Sequence, residues 1–184
     1  MKLLSLKKVK DGRYLKNYEL TYLNKSGKEK TYEIVSRKEL KDISQLGTLP
    51  SGVSIVATCG EKMLLLHEFR MGVNKKIYNL CAGMLEEDET IEACVARELY
   101  EETGLKLEKI KKILPASYSA VAISDLKTYI VFAEVSGTFS DHTSANEEIE
   151  AAFYTRDEVS HLLNTADFSS RAQMAAYFFS EGYL

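Results

Sequence analysis

Apolar residues alternate with polar ones in short runs along most of this chain, and only a few stretches switch to the i, i+3, i+4 spacing of a helix. Tyr14 to Leu23 and Lys30 to Val35 are rich in aromatic and β-branched residues and flank Asn24-Lys25-Ser26-Gly27, which predicts a β-hairpin. Val53 to Thr58 and Lys62 to Phe69, around Cys59-Gly60-Glu61, predict a second and more apolar hairpin nearer the centre of a sheet. A short segment follows from Ile77 to Ala82, then strands at Leu107 to Leu114, Lys127 to Val135 and Ile149 to Tyr154. The polar, turn-rich stretch Ser136 to Asn146 reads as a mobile loop.

Helices are predicted at three points. The first begins after Thr90 and stops at Gly104, the second is capped by Thr155 and runs to about Asn164, and the last opens at Ser169 or Ser170. In the last, Met174, Tyr177 and Phe178 form the apolar stripe. Strands outnumber helices, and the helices follow separate groups of strands. The fold class is therefore α/β (α+β), a mixed sheet covered by helices on its faces, with residues 1–48 as an N-terminal β-hairpin extension and 49–184 as the main domain. An isolated hairpin is marginally stable, so this extension needs a surface to cover, on the main domain or on a second copy of the chain.

The helix after Thr90 carries the chemistry. Ile91, Cys94 and Val95 mark its buried side, and the same stripe continues to Glu98, Glu101 and Glu102, where periodicity asks for apolar residues. Three anions at i, i+3 and i+4 repel one another and sit near the negative end of the helix dipole. Arg97 and Lys106 lie nearby, but a hard divalent cation, Mg2+ or Mn2+, satisfies clustered carboxylate oxygens better. The plain alternative is a solvated acidic face.

Composition adds limits. The 184 residues suit one domain with a small appendage, and 45% hydrophobic with 28% charged residues is ordinary for a globular chain. A net charge of −3 gives no electrostatic invitation to nucleic acid or to an anionic membrane. Cys59, Cys81 and Cys94 form no CxxC pair and read as reduced thiols, and neither a secretory signal nor a membrane span is recognisable, so a soluble cytoplasmic protein is expected.

The stretch Gly83 to Leu105 resembles the Nudix box: Gly, five residues, Glu, seven residues, then Arg-Glu-aliphatic-any-Glu-Glu-any-Gly-aliphatic. Gly83, Glu89, Arg97, Glu98, Leu99, Glu101, Glu102, Gly104 and Leu105 match every fixed position. With each non-aliphatic type at about 6 to 7% usage, a match at a given start has a chance probability on the order of 10^-8. The resemblance implies an α/β/α sandwich and a hydrolase that cleaves a nucleoside diphosphate linked to another group.

It also implies roles. Glu98 and Glu102 become principal ligands of the divalent metal, with Glu101 direct or through water and the Ala82 carbonyl completing the set. Arg97 pairs with Glu101 or Glu89, Glu89 orients the loop, Gly83 lets the chain pass close to the metal, and Gly104 stops the helix. Outside the box the chain is most similar to the ADP-ribose pyrophosphatase branch, through the N-terminal hairpin, Leu65-Leu66-His67-Glu68-Phe69-Arg70 and Asn146-Glu147-Glu148-Ile149. That branch implies substrate binding by Arg70, a homodimer that exchanges N-terminal strands, and a general base on the loop after the long strand. Here the base is Glu147, Glu148 or a box carboxylate such as Glu98. Alternation puts Glu148 and Glu150 opposite Ile149 and leaves Glu147 at the loop junction, while Ala145 stands where some members carry their glutamate.

Two stretches depart from the branch. The usual Glu-Leu-Pro-Ala-Gly is Asn79-Leu80-Cys81-Ala82-Gly83, and a Ser-Pro-Gly-aromatic-Ser-Asp-Glu stretch survives only as Ala120 to Leu126. The catalytic pattern is intact while the specificity elements differ. ADP-ribose or a related nucleoside diphosphate sugar is the leading substrate. A dinucleotide or a nucleoside triphosphate is the alternative within the family, and a non-catalytic nucleotide-sensing module is the alternative outside catalysis.

Overall fold

The computed structural model describes residues 1–140 and 142–184, and within them seven strands precede the first α-helix, three more follow it, and two α-helices close the chain. Asp141, inside the predicted loop, lies outside the described residues. The chain divides into two compact units, residues 1–51 with 116–128, and residues 52–115 with 129–184.

The first unit holds β1 (Lys2–Asp11), β2 (Lys16–Leu23) and β3 (Glu29–Ser36) in an antiparallel sheet of that order. The predicted hairpin is β2 and β3, joined through Asn24, whose Oδ1 accepts from the backbone of Ser26 and Lys28. The N-terminal extension is therefore three-stranded rather than a hairpin. β1 escaped the pattern reading because it is a lysine-rich, largely exposed edge strand whose pairing slips between Leu3 and Ser5 and again between Lys8 and Lys10, which destroys clean alternation. Tyr18, Leu20, Ile34 and Leu40 form the core of this unit. The Tyr18 hydroxyl is satisfied there by the Leu40 N–H at 2.7 Å. Residues 116–128 add to it, with the Val35 N–H donating to the Ile123 carbonyl at 2.9 Å.

The second unit is built on a seven-stranded sheet. Its main path runs β10 (Ile149–Tyr154), β5 (Lys62–Arg70), β4 (Pro50–Cys59), β9 (Lys127–Ser136), β8 (Lys106–Tyr118), with β6 (Lys75–Asn79) also on β5 and β7 (Cys81–Met84) also on β4. The alternation of β4 and β5 sorts side chains onto two faces. Val53, Ile55, Ala57, Leu64 and Leu66 turn to α1 (Ile91–Thr103), packing with its Cys94, Val95 and Leu99. Val56, Met63 and Leu65 turn to α2 (Arg156–Thr165) and α3 (Ser170–Ser180). These two cores make the helix–sheet–helix sandwich the pattern implied.

Caps fall where the sequence placed them. Thr90 accepts from the Ala93 N–H at 3.2 Å, and Gly104 ends α1 at φ 76°, a left-handed position that favours glycine. Thr155 and Glu158 close a capping box on α2, and Ser169 caps α3. The apolar stripe of α3 is different from the expected one. Ala172, Ala176 and Phe179 are buried, whereas Met174, Tyr177 and Phe178 are exposed. Two alanines let the helix axis approach the sheet closely, and a face of larger side chains would hold it off.

Candidate functional site

Two box glutamates, Glu98 and Glu102, are brought against the strand that precedes their helix. On α1 the buried row is Cys94, Val95, Glu98, Leu99 and Thr103, so Glu98 does take a core position, at 9% exposure. Across from it, Gly83 on β7 comes so close that a Cβ there would overlap the Glu98 carboxylate. That contact explains the glycine without appeal to backbone conformation. Glu102 is half-buried, and its carboxylate accepts from the Ala82 N–H at 3.2 Å and from the Cys81 thiol. Glu101 differs, with a side chain 51% exposed at the rim.

Arg97 supplies the positive charge. Its Nε and Nη2 grip both oxygens of Glu89 at 2.8 and 2.9 Å, and its Nη1 donates to Glu98 Oε1 at 2.8 Å and to Glu101 Oε2 at 3.1 Å. Nη2 also donates to the Met84 carbonyl at 2.9 Å. The expected choice between Glu89 and Glu101 is thus no choice; the fork reaches both, and Glu98 as well. The second oxygen of Glu89 takes the Glu86 N–H, which ties the loop down. With Arg97 bidentate upon it, the Glu89 carboxyl is held down at about 2.

The other carboxylates move the opposite way. Burial pushes the Glu102 carboxyl up to about 8, and Glu98 and Glu68 add repulsion while the Cys81 and Ala82 donors offset part of it. Burial also raises Glu98, against the pull of Arg97. Among the described residues no group of three or more His, Cys, Asp or Glu side chains is drawn together as a ready metal cluster. Glu101 points outward and Arg97 stands against Glu98, so the guanidinium occupies part of the role assigned to a cation.

The donor set nonetheless fits a hard divalent ion. Two carboxylates are desolvated together at a close backbone approach, an arrangement that disfavours both being charged unless positive charge is added. In an extended strand the N–H and C=O of one residue leave by the same edge, so the Ala82 carbonyl is turned to the side from which its N–H meets Glu102.

Arg70 and Glu147 lie beyond this centre, and both line one cleft at the ends of β5 and β10. Arg70 Nη1 donates to Glu68 at 3.2 Å. The Glu147 carboxylate accepts from the Ser144 N–H at 3.2 Å. Glu148 and Glu150 both pair with Lys76, at 2.8 and 2.6 Å, on the face opposite Ile149. Glu102 and Ile149 line a second cleft with Phe139 and Ser140 of the loop.

Pattern reading passed over Glu68. It is 5% exposed and continues the inward row of Leu64 and Leu66 along β5. A carboxylate in a core row was the same signal that singled out Glu98, and strand alternation would have found it.

Comparison with known proteins shows the family. The family model for the NUDIX domain matches residues 48–177, and the chain belongs to the Nudix family. It is 28% identical over 134 residues to an ADP-sugar pyrophosphatase of Mus musculus, covering 70% of this chain and 59% of that one. It is 30% identical over 100 residues to an ADP-ribose pyrophosphatase of Bacillus subtilis, 54% of each. An NAD-capped RNA hydrolase, NudC, of Mycobacterium tuberculosis is 33% identical over 99 residues, 54% of this chain and 31% of that one. The chain thus spans between about a third and three-fifths of the length of these curated relatives. The crystal structure of an ADP compounds hydrolase superposes with a TM-score of 0.76 at 19% identity, over 100% of this chain and 95% of that one, and shows the shared fold. No helix among the described residues is long and apolar enough to cross a membrane.

Glu102 carries a pH dependence whose sign is fixed. Its folded-state pKa of about 8 lies above the ordinary 4.5, so its contribution to stability is fully present below about 4.5 and is lost as pH rises through about 8. In excess chelator the thermal midpoint should fall from pH 5 to pH 8 by more in the wild type than in Glu102→Gln. Parallel profiles for the two proteins would show that the Glu102 carboxyl is not raised.

Proposed function

We propose that the chain hydrolyses the pyrophosphate linkage of a nucleoside diphosphate joined to a second group, with ADP-ribose or a related nucleoside diphosphate sugar as substrate and Mg2+ or Mn2+ as cofactor. The observation that carries this reading is the buried Glu98 and the half-buried Glu102 packed against Gly83 and Ala82, where desolvation disfavours the charged form of both. A structural role would not place two desolvated carboxylates beside each other. The names of the ADP-sugar and ADP-ribose pyrophosphatase relatives support the substrate class.

Glu98, Glu102 and Glu101 with the Ala82 carbonyl would hold the divalent ion, which when bound offsets charge on the pyrophosphate and lowers the pKa of water. The chain's own residues do the rest. Arg97 holds Glu98 and Glu101 at fixed separation and ties them through Glu89 to the loop. Arg70 takes the substrate's anionic group in the cleft, and the Glu147 carboxylate takes the proton of the attacking water. Glu148 and Glu150 are occupied by Lys76, whereas among the described residues no ion pair is formed by Glu147. That contrast supports Glu147 as base over Glu148.

We further propose a homodimer in which the extension, residues 1–48, covers the neighbouring subunit. Val9, Tyr14 and Leu15 are exposed on this extension and suit such a contact. Sedimentation of a monomer at micromolar concentration would exclude it.

A panel of ADP-ribose, nucleoside diphosphate sugars, dinucleotides and nucleoside triphosphates with Mg2+ tests the activity. Turnover of an ADP-sugar should vanish in chelator, and Glu102→Gln should cost about 10^2-fold or more while the protein stays folded. Glu147→Gln should lower kcat by about 10^2-fold with Glu148→Gln nearly neutral. Full turnover in excess chelator would contradict the metal site, and a Glu147→Gln loss below about tenfold would move the base to Glu98 or Glu148.

A further inference from the structure

We infer that Glu68 is a positioning residue, set to hold Arg70 in the cleft and itself held from behind by Asn79 and Ser169. This rests on the proposed function, in which Arg70 binds substrate. Glu68 is 5% exposed while the Arg70 side chain is 54% exposed, so the bond between them joins a fixed group to a free one.

Each oxygen of Glu68 has a donor. Oε2 accepts from Arg70 Nη1 at 3.2 Å, and Oε1 accepts from Asn79 Nδ2. The Asn79 amide is itself fixed, because its Oδ1 accepts from the Leu80 N–H at 3.0 Å and from the Ser169 hydroxyl at 2.6 Å. Ser169 caps α3, taking the Ala172 N–H at 3.4 Å. One directed chain of hydrogen bonds therefore runs from the N-terminus of α3 through Ser169, Asn79 and Glu68 to Arg70. Every donor in it points toward the carboxylate, and the positive end of the α3 dipole lies at its far end.

The cleft explains why Arg70 needs such an anchor. Its lining includes Glu68, Arg70, Gly72, Asn146, Glu147 and Glu148, and among its described lining residues Arg70 is the one cation. A long exposed arginine beside Glu147 would otherwise be drawn to that carboxylate, away from substrate. Glu68 fixes one edge of the guanidinium and leaves the rest of the fork for an incoming anion, which lowers the ordering cost of binding.

The test compares wild type, Glu68→Gln, Arg70→Ala, the pair of these together, and the charge exchange Glu68→Gln with Asn79→Glu. ADP-ribose turnover is measured with Mg2+, and ADP-ribose affinity is measured by calorimetry in excess chelator. Glu68→Gln should raise both KM and Kd about tenfold with kcat within about threefold, and should add nothing to Arg70→Ala. The charge exchange, which restores one carboxylate to the chain of bonds, should return Kd to within about threefold of wild type. Unchanged KM and Kd in Glu68→Gln, even with a lowered thermal midpoint, would overturn the inference, as would effects of Glu68→Gln and Arg70→Ala that multiply. Should Glu68→Gln fail to fold, the charge exchange decides, and a folded exchange variant with Kd more than about tenfold weaker overturns it. A wild type that binds ADP-ribose in chelator but never hydrolyses it with Mg2+ overturns the hydrolytic reading alone; one that neither binds nor hydrolyses it overturns both, and one that hydrolyses it without binding in chelator leaves the KM comparison to decide the inference.

Discussion

The Arg97 guanidinium lies among three carboxylates, and the geometry of the site depends on it. Glu89 takes two of its nitrogens, and Glu98 and Glu101 share the third. Planarity matters here, since a rigid fork fixes the distances among its acceptors where a lysine ammonium would not. Through Glu89 the arrangement immobilises the loop before α1, and through Glu98 it sets the acid that faces Gly83. Glu102 receives no such help. It sits half-buried one turn further on with only neutral donors, a thiol and a backbone amide. The two acids next to Gly83 and Ala82 are therefore unequal, one compensated by a cation and the other carrying an unmet demand for positive charge.

The same logic recurs on the strand side. Glu68 extends the inward row of β5 as Glu98 extends that of α1, and each buried acid is paired with a more exposed arginine. The two differ in what the arginine is free to do. Arg97 spends its whole fork on protein acceptors, while Arg70 keeps most of its fork open to the cleft.

Much of this was legible from the chain, for identifiable reasons. The α1 caps, the second hairpin and the box acids follow from local rules of spacing, and local rules are what a sequence displays most directly. β1 was not legible, because an edge strand of lysines with two register slips has no period to detect. On α3 the large apolar residues Met174, Tyr177 and Phe178 attracted the reading, yet the close helix–sheet approach selected Ala172 and Ala176 instead. The triple link from Arg97 was only half visible, since spacing shows the Glu101 contact but the fold brings Glu89 around. Asn79 and Ser169 are 90 residues apart, and no spacing rule connects them.

Glu102, half-buried with its carboxyl pushed up by desolvation, is the acid proposed to receive a divalent cation. Calorimetric titration of Mn2+ at pH 7 in two buffers of different ionisation enthalpy measures both binding and the protons it releases. With its carboxyl pushed up to about 8, Glu102 is mostly protonated at that pH, so binding should release about one proton from the wild type. Glu102→Gln should bind at least about tenfold more weakly and release none, while Glu92→Gln, in the first turn of the same helix, should match the wild type. Mn2+ affinity and proton release that are the same in Glu102→Gln as in the wild type would contradict the account.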